Sequence, residues 1–252
     1  MSAFALASAR ASAQPVAPPV PGELVSVVDP ADMTGTNPVS LRNTLDVSND
    51  FRSVSDGLFF DEATWQFAQA FADHRMRARV ELPLRFANIT GRTEAGFGDV
   101  VAGWEWLPVV QGRVAWLAGV DMGLDTGTNA ALATSHSIVA PSAALVFVPR
   151  RDTVLSVRYA QRLSLNSVED VPDIDDGVVE ATLVRRFGDS TWIRALPAAV
   201  IDYEHSEVWG RLDGEWGRVL SGGASTWVRA GGAFAASRPF DWTVAIGFRF
   251  VQ

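Results

Sequence analysis

The chain has no cysteine and no lysine. Without thiols it can form no disulfide, no thiolate metal site, no cysteine nucleophile and no lipidated cysteine anchor. All 21 of its basic residues are therefore arginine, the cation best suited to persistent pairing with carboxylates in a confined space. Also missing is any run of about twenty uninterrupted apolar residues, so no helix is expected to cross a membrane. Strands remain able to, because a spanning strand needs only about ten alternating residues. A net charge of −8 argues against nucleic acid as a partner, since phosphate contacts need a basic surface.

What is present is apolar material. Hydrophobic residues make up 48% of the chain and charged ones 20%, which excludes a disordered protein. At 252 residues the chain has room for two small domains or one larger all-β unit.

Residues 3–13, AFALASARASA, are small and apolar and end in Ala-Ser-Ala, the tail and cleavage site of a secretory signal peptide. No basic region precedes them, so the true start is expected upstream of Met1. Residues 14–38 carry Pro15, Pro18, Pro19, Pro21, Pro30 and Pro38 and read as an extended periplasmic leader. The expected organisation is a signal-peptide remnant over 1–13, a leader over 14–38 and a barrel over 39–252.

From about residue 40 the hydrophobic period is two, not 3.6. Leu41, Leu45 and Val47 alternate with polar residues, and Phe59, Trp65, Phe67 and Phe71 share one parity in the next segment. Met76, Ala78, Val80, Leu82, Leu84 and Phe86 then alternate with charge, and Val114, Trp116, Ala118, Val120, Met122 and Leu124 give the cleanest alternation of all. Continued to the C-terminus, the pattern predicts about twelve strands. Their connections alternate in kind. Asp73-His74, PVVQG (108–112), PRRD (149–152), FGDST (187–191) and LSGG (220–223) are tight, whereas NITGRTEAG (88–96), TGTNAALATSHS (126–137) and NSVEDVPDIDD (166–176) are long. Short turns at one end, long loops at the other and an even strand count predict an all-β fold: an antiparallel transmembrane β-barrel with short periplasmic turns and longer extracellular loops. Trp104, Trp106, Trp116, Trp192, Trp216 and Trp227 fall toward the short-turn end and are expected to form an interfacial girdle there.

The last strand, DWTVAIGFRFVQ, sets Trp242, Val244, Ile246, Phe248 and Phe250 at successive alternate positions. It resembles the C-terminal assembly signal of bacterial outer-membrane proteins, which implies the barrel-assembly machinery and outer-membrane lipid as partners. RARVELPL (77–84), a polar loop and AGFGDVVAGWEW (95–106), with Gly96, Phe97, Gly98 and Asp99 leading into a strand, resemble the MetA-pathway of phenol degradation family. That resemblance implies a transporter-like barrel in the bacterial outer membrane, with small hydrophobic or aromatic compounds as permeants.

In a membrane barrel the apolar face meets lipid and the charged face looks inward. This assigns Arg75, Arg77, Arg79, Glu81, Arg85, Asp99, Glu105, Asp121, Arg158, Arg162, Glu180, Arg211, Asp213 and Glu215 to the interior. Pairing around the 88–96 loop can set Arg85 opposite Asp99 and Arg79 opposite Glu105, each opposite-charge pair contributing up to about 1 kcal/mol. These charges can form a structural network or a selectivity path.

Catalysis is not expected. Ser135-His136-Ser137 and His205-Ser206 look like hydrolase fragments, but adjacency in sequence is not triad geometry. No cofactor is expected either, since the acidic stretch Glu169, Asp170, Asp173, Asp175 and Asp176 lacks an ordered ligand spacing and reads as a solvated loop. Three classes stay open: a channel for small molecules, a closed structural barrel and a lipid-modifying enzyme.

Overall fold

A computed structural model of the protein describes residues 34–54, 57–88, 91–129, 132–168, 171–188 and 190–252. The signal-peptide reading and most of the leader lie outside the described residues. Thirteen strands follow one another: β1 (Thr44–Ser53), β2 (Phe59–Phe71), β3 (Met76–Ala87), β4 (Glu94–Phe97), β5 (Val100–Gln111), β6 (Val114–Leu124), β7 (Ile138–Arg150), β8 (Thr153–Ser164), β9 (Asp175–Phe187), β10 (Thr191–Asp202), β11 (Glu207–Val219), β12 (Ala224–Phe234) and β13 (Trp242–Val251). No α-helix occurs among the described residues.

Every neighbouring pair is antiparallel, and β13 returns to β1 along the register Thr44↔Val251 to Ser53↔Trp242. The sheet therefore closes into a ring, the way a sheet can sit in lipid with its backbone groups satisfied. The short β4 and the longer β5 both pair with β3, so the ring is twelve strands around. The twelve segments read from alternation are the twelve wall positions.

The break between β4 and β5 has a local cause. Leu84 faces Phe97, whereas Glu81 faces Val101, so one residue is inserted near Gly98 and Asp99, opposite Pro83. Proline has no N–H for the ladder, and bulges gather at such positions. The Gly98 N–H still reaches the Pro83 carbonyl at 3.0 Å. The expected register is overturned as well: Arg77, not Arg79, faces Glu105, and Arg85 faces Gly96 rather than Asp99, offsets of two and three residues of which the bulge accounts only for the difference between them.

Burial is inverted relative to a water-soluble protein. Val80, Leu82, Phe86, Trp104, Trp106, Trp116, Val244, Ile246, Phe248 and Phe250 are all exposed, while Asp99, Asp213 and Glu215 are buried. Each large apolar side chain moved from water into lipid gains about 1.5–3 kcal/mol, so a bilayer is the solvent this surface fits.

The girdle expectation holds only in part. Trp104, Trp106, Trp116 and Trp216 are exposed on the outer face, but Trp192 and Trp227 are buried. Each of these two points inward against the glycine facing it on the next strand. Trp192 pairs with Gly217 and Trp227 with Gly247, and a Cβ on either glycine would come within 2.1 and 2.3 Å of the indole. The glycines leave the space that the rings occupy.

Arg75 also departs from expectation. Ala72, Asp73 and His74 all have positive φ, at 52°, 54° and 61°, and the Arg75 N–H closes this turn on the Ala72 carbonyl at 3.1 Å. Arg75 is left exposed in the turn, one residue before β3 begins.

Candidate functional site: the barrel interior

The inward side chains of alternate strands meet in one connected chain of charge. Arg79 on β3 holds Glu81 and Asp121, each at 2.7 Å. Asp121 on β6 is shared with Arg158 on β8 at 3.1 Å, and Arg158 approaches Glu180 on β9 at 3.6 Å. Glu180 accepts from Arg211 on β11 at 2.9 Å, and Arg211 lies 3.8 Å from Asp213. The chain spans eight of the twelve wall strands and steps over β5, β7 and β10. It can step over β5 because Gly103 lies beneath the Arg79–Asp121 pair, where a Cβ would come within 2.4 Å of Asp121 Oδ1.

The rest of the interior is paired in the same way. Arg77 holds Glu105, Arg85 holds Glu62, Arg162 makes two contacts with Asp176, and Asp50 receives both Arg52 and Arg229. Glu215 is buried and accepts from Trp192 Nε1 at 3.0 Å and Arg194 Nη1 at 3.1 Å. Guanidinium forks held by two carboxylates keep their geometry, so the interior is a fixed lattice with little uncompensated charge.

At the short-turn end the interior is apolar. Leu107, Ala115, Leu117, Val146, Val154, Val184, Trp192 and Trp227 form a buried cluster, and Val39 and Leu41 sit within it, both at 0% exposure. These two residues precede β1. Leu41 was expected on the same face as Leu45, but the chain turns inward before Asn43. Residues 34–41 therefore fill the barrel at that end, with Thr34, Thr36, Asn37 and Ser40 also buried. Arg249 on β13 and His74 in the β2–β3 turn both hold the segment. Arg249 donates to the carbonyls of Gly35 at 2.8 Å and Thr34 at 3.4 Å, while its Nε holds Asp46. His74 Nδ1 lies 2.9 Å from the Leu41 carbonyl.

Two cavities lie above this plug. The lower, about 170 Å³, has Pro38 at its floor and Ser142, Ser156, Thr182 and Glu105 on its walls. The upper, about 230 Å³, is lined by Ala140, Ala160, Val178, Val200 and Trp209 together with Asp121, Arg162 and Arg211. Arg158 and Glu180 line both, so this ion pair stands between them.

Loops fold over the opposite end. Asp99 is buried and caps the loop between β6 and β7, accepting from the N–H groups of Thr126, Gly127 and Thr134 and from Thr134 Oγ1, at 2.7–3.2 Å. The same loop buries Leu132, whose carbonyl accepts from Arg85 at 2.6 Å, and Asn129 donates to Glu94 at 2.7 Å.

Of the charges read from alternation, Arg77, Arg79, Glu81, Arg85, Glu105, Asp121, Arg158, Arg162, Glu180, Arg211, Asp213 and Glu215 are brought together in this lattice. Arg75 is in a turn, and Asp99 serves a loop. Sequence reading missed Asp46, Asp50, Glu62, Arg194, Arg229 and Arg249. Parity could have found them, because Arg194 alternates with the outward Ile193, Arg229 with Val228 and Arg249 with Phe248. The hydrolase fragments do not form a triad: both ring nitrogens of His136 face backbone carbonyls, and His205 Nδ1 pairs with Asp202.

No family model matches the chain, and no curated protein matches it in sequence. Solved structures do match in fold. An outer membrane channel from Pseudomonas putida F1 is 10% identical with a TM-score of 0.67, over 84% of this chain and 96% of that one. The NanC porin is 11% identical with a TM-score of 0.65, over 82% of this chain and all of its own. The KdgM porin is 9% identical with a TM-score of 0.60, over 83% and 99%. The chain thus has the fold of outer-membrane channel barrels, complete around the ring.

Proposed function

We propose that the chain is a bacterial outer-membrane channel or transporter-like barrel for small compounds, closed at its short-turn end by its own residues 34–41. The observation that carries this reading is the stacking of two cavities, divided by Arg158–Glu180, between the looped mouth and the plug. A solid structural barrel has no use for such space. Fold similarity to porins and channels supports the same reading, as do the lipid-facing wall and the C-terminal strand that outer-membrane lipid and the barrel-assembly machinery would receive.

The permeant we propose is a neutral compound of about one ring. Cavities of roughly 150 Å³ hold benzene, and those here are slightly larger. The arginines are already paired, so they offer a free ion little attraction. In the upper cavity the aliphatic side chains and Trp209 would take the apolar body, and in the lower one the hydroxyls of Ser142, Ser156 and Thr182 would take a polar group as the compound passes. The Gly96-Phe97-Gly98-Asp99 lead-in, which resembles that of the MetA-pathway of phenol degradation family, supports an aromatic permeant. No catalytic role is proposed.

Uptake of a radiolabelled one-ring aromatic alcohol by porin-deficient Gram-negative cells tests this. Cells making the barrel should take it up several-fold faster than cells without it. Equal rates would favour the second reading, a closed structural barrel, which the plug and the paired charges also fit.

A further inference from the structure

His136 stands in the loop between β6 and β7 with 1% of its surface exposed. Its Nδ1 lies 2.9 Å from the carbonyl oxygen of Asn166 and its Nε2 lies 3.0 Å from the carbonyl oxygen of Pro172. Both partners belong to the next long loop, between β8 and β9. A carbonyl oxygen can only accept, so both contacts are hydrogen bonds only when both ring nitrogens carry a proton. A neutral imidazole has one N–H and one lone pair. Either tautomer therefore leaves a lone pair facing a carbonyl oxygen in a site closed to water, where an unmade hydrogen bond is costly.

We infer that His136 is a proton-operated latch between the two long loops at the barrel mouth. Protonated, it bridges Asn166 and Pro172 and holds the β8–β9 loop down on the β6–β7 loop. When the proton leaves for solvent, one bridge becomes a repulsion and the facing segment keeps only its other contacts, among them those of Asn166 and Leu165 with Ser137. Other fastenings of these loops use carboxylate, guanidinium, hydroxyl and amide groups. Asp99 and Arg85 hold the β6–β7 loop through a carboxylate and a guanidinium, and Ser137 joins Asn166 and Leu165 through amide and side-chain amide groups. Histidine is the side chain that titrates between about pH 5 and 8.

The charged groups on the two loops and at the start of β9 are mostly acidic. Asp125 is on the His136 loop, and Asp99 shares Thr134 Oγ1 with the His136 carbonyl. Asp173 on the facing loop is held by Ser167, and Asp175 and Asp176 at the start of β9 are held by Gln161 and Arg162. Glu169 and Asp170 of that loop lie outside the described residues. The functional consequence rests on the channel reading: the mouth would be latched in acid and looser in alkali.

The test is a titration of selectively ¹⁵N-histidine-labelled protein in nanodiscs between pH 5 and 8, with H136Q assigning the signal. Two protonated ring nitrogens at pH 5, together with slower amide exchange at Ser167, Val168 and Asp173 than at pH 8 after correction for chemical exchange rates, are expected. Glutamine cannot donate in both directions, so H136Q should exchange at the faster rate at both pH values. A ring that stays neutral at pH 5, or loop exchange indifferent to pH, would overturn the latch. The wild-type titration alone decides this if H136Q fails to fold. Single-channel recordings then separate the two ideas. Conductance lower at pH 5 than at pH 8 in the wild type but not in H136Q supports gating, and conductance equal at both overturns it. A latch that titrates in a barrel with no conductance at all upholds the latch and removes the channel reading.

Discussion

Arg249 donates from Nη1 to the carbonyl oxygen of Gly35 at 2.8 Å, so the strand that closes the barrel also grips the segment that fills it. Its Nε is fixed by Asp46 at 2.5 Å, across the β1–β13 seam. Gly35 has a φ of +63°, and a Cβ there would meet Arg249 Cδ at 2.7 Å. Both the turn and the close approach therefore require glycine.

The absence of cysteine gives this grip a clean assay. Thr36 is buried, and a T36C protein has a single thiol to label. It should react slowly with a maleimide of membrane-impermeant size, and at least tenfold faster when Arg249→Ala or Gly35→Val is added. Equal slow labelling in all three would show that Arg249 does not hold the segment.

Glu215 is the acid on which the wall most depends. It is buried and accepts from both Trp192 and Arg194. Glu215→Leu leaves the Arg194 charge without this partner and the indole N–H unmade. Breaking a buried pair from one side costs about 3–5 kcal/mol, and Glu215→Gln should cost less because it still accepts from Trp192. Urea unfolding of the barrel in lipid vesicles, followed by tryptophan fluorescence, measures both. A loss under about 1 kcal/mol for the leucine variant would mean that water reaches Arg194.

Asp99 should act on one loop and not on the barrel. Four hydrogen bonds from Thr126, Gly127 and Thr134 converge on its carboxylate, and bonds to a charged group contribute about 1.5–3 kcal/mol each. Asp99→Ala should raise amide exchange at these three residues at least a hundredfold while the β-ladder amides stay protected. Uniform loss of protection would instead make Asp99 part of the folding core.

The wall was legible in the sequence because a strand shows its two faces in alternation, and lipid outside with charge inside made that alternation strong on β3, β5 and β6. The register was less so. The β3–β5 pairing lies two residues from the expected one and the β3–β4 pairing three, the extra residue being the insertion at Gly98-Asp99 at which only Pro83, a proline in a central strand, hinted. Trp192 and Trp227 were misplaced by reading their height along the strand and not their parity. Asp99 was misassigned because a carboxylate at a strand's start can serve either the ladder or a loop, and alternation does not separate these. The plug was not legible: Val39 and Leu41 continue the alternating pattern of β1, and nothing local shows that the chain bends inward before Asn43.

His205, in the exposed β10–β11 loop, should titrate above the ordinary histidine value of 6.5, because the Asp202 carboxylate hydrogen-bonded to Nδ1 favours the charged ring. A raised value means that the contact is complete below the ordinary value and is lost as pH rises through the raised one. The loop should therefore be more ordered in acid, and Asp202→Asn should lower the midpoint. An NMR titration of His205 checks both, and a midpoint unmoved in Asp202→Asn would refute the pairing.

The central claim is that the ring encloses a path which residues 34–41 close. Single-channel conductance in a planar bilayer tests it, comparing the wild type with a Val39→Asp/Leu41→Asp variant whose segment can no longer sit in the apolar floor. Heat-modifiable gel migration confirms that the variant barrel is folded. The account predicts low or flickering conductance in the wild type and a several-fold larger, steady conductance in the variant. A folded variant that conducts no more than the wild type would contradict it.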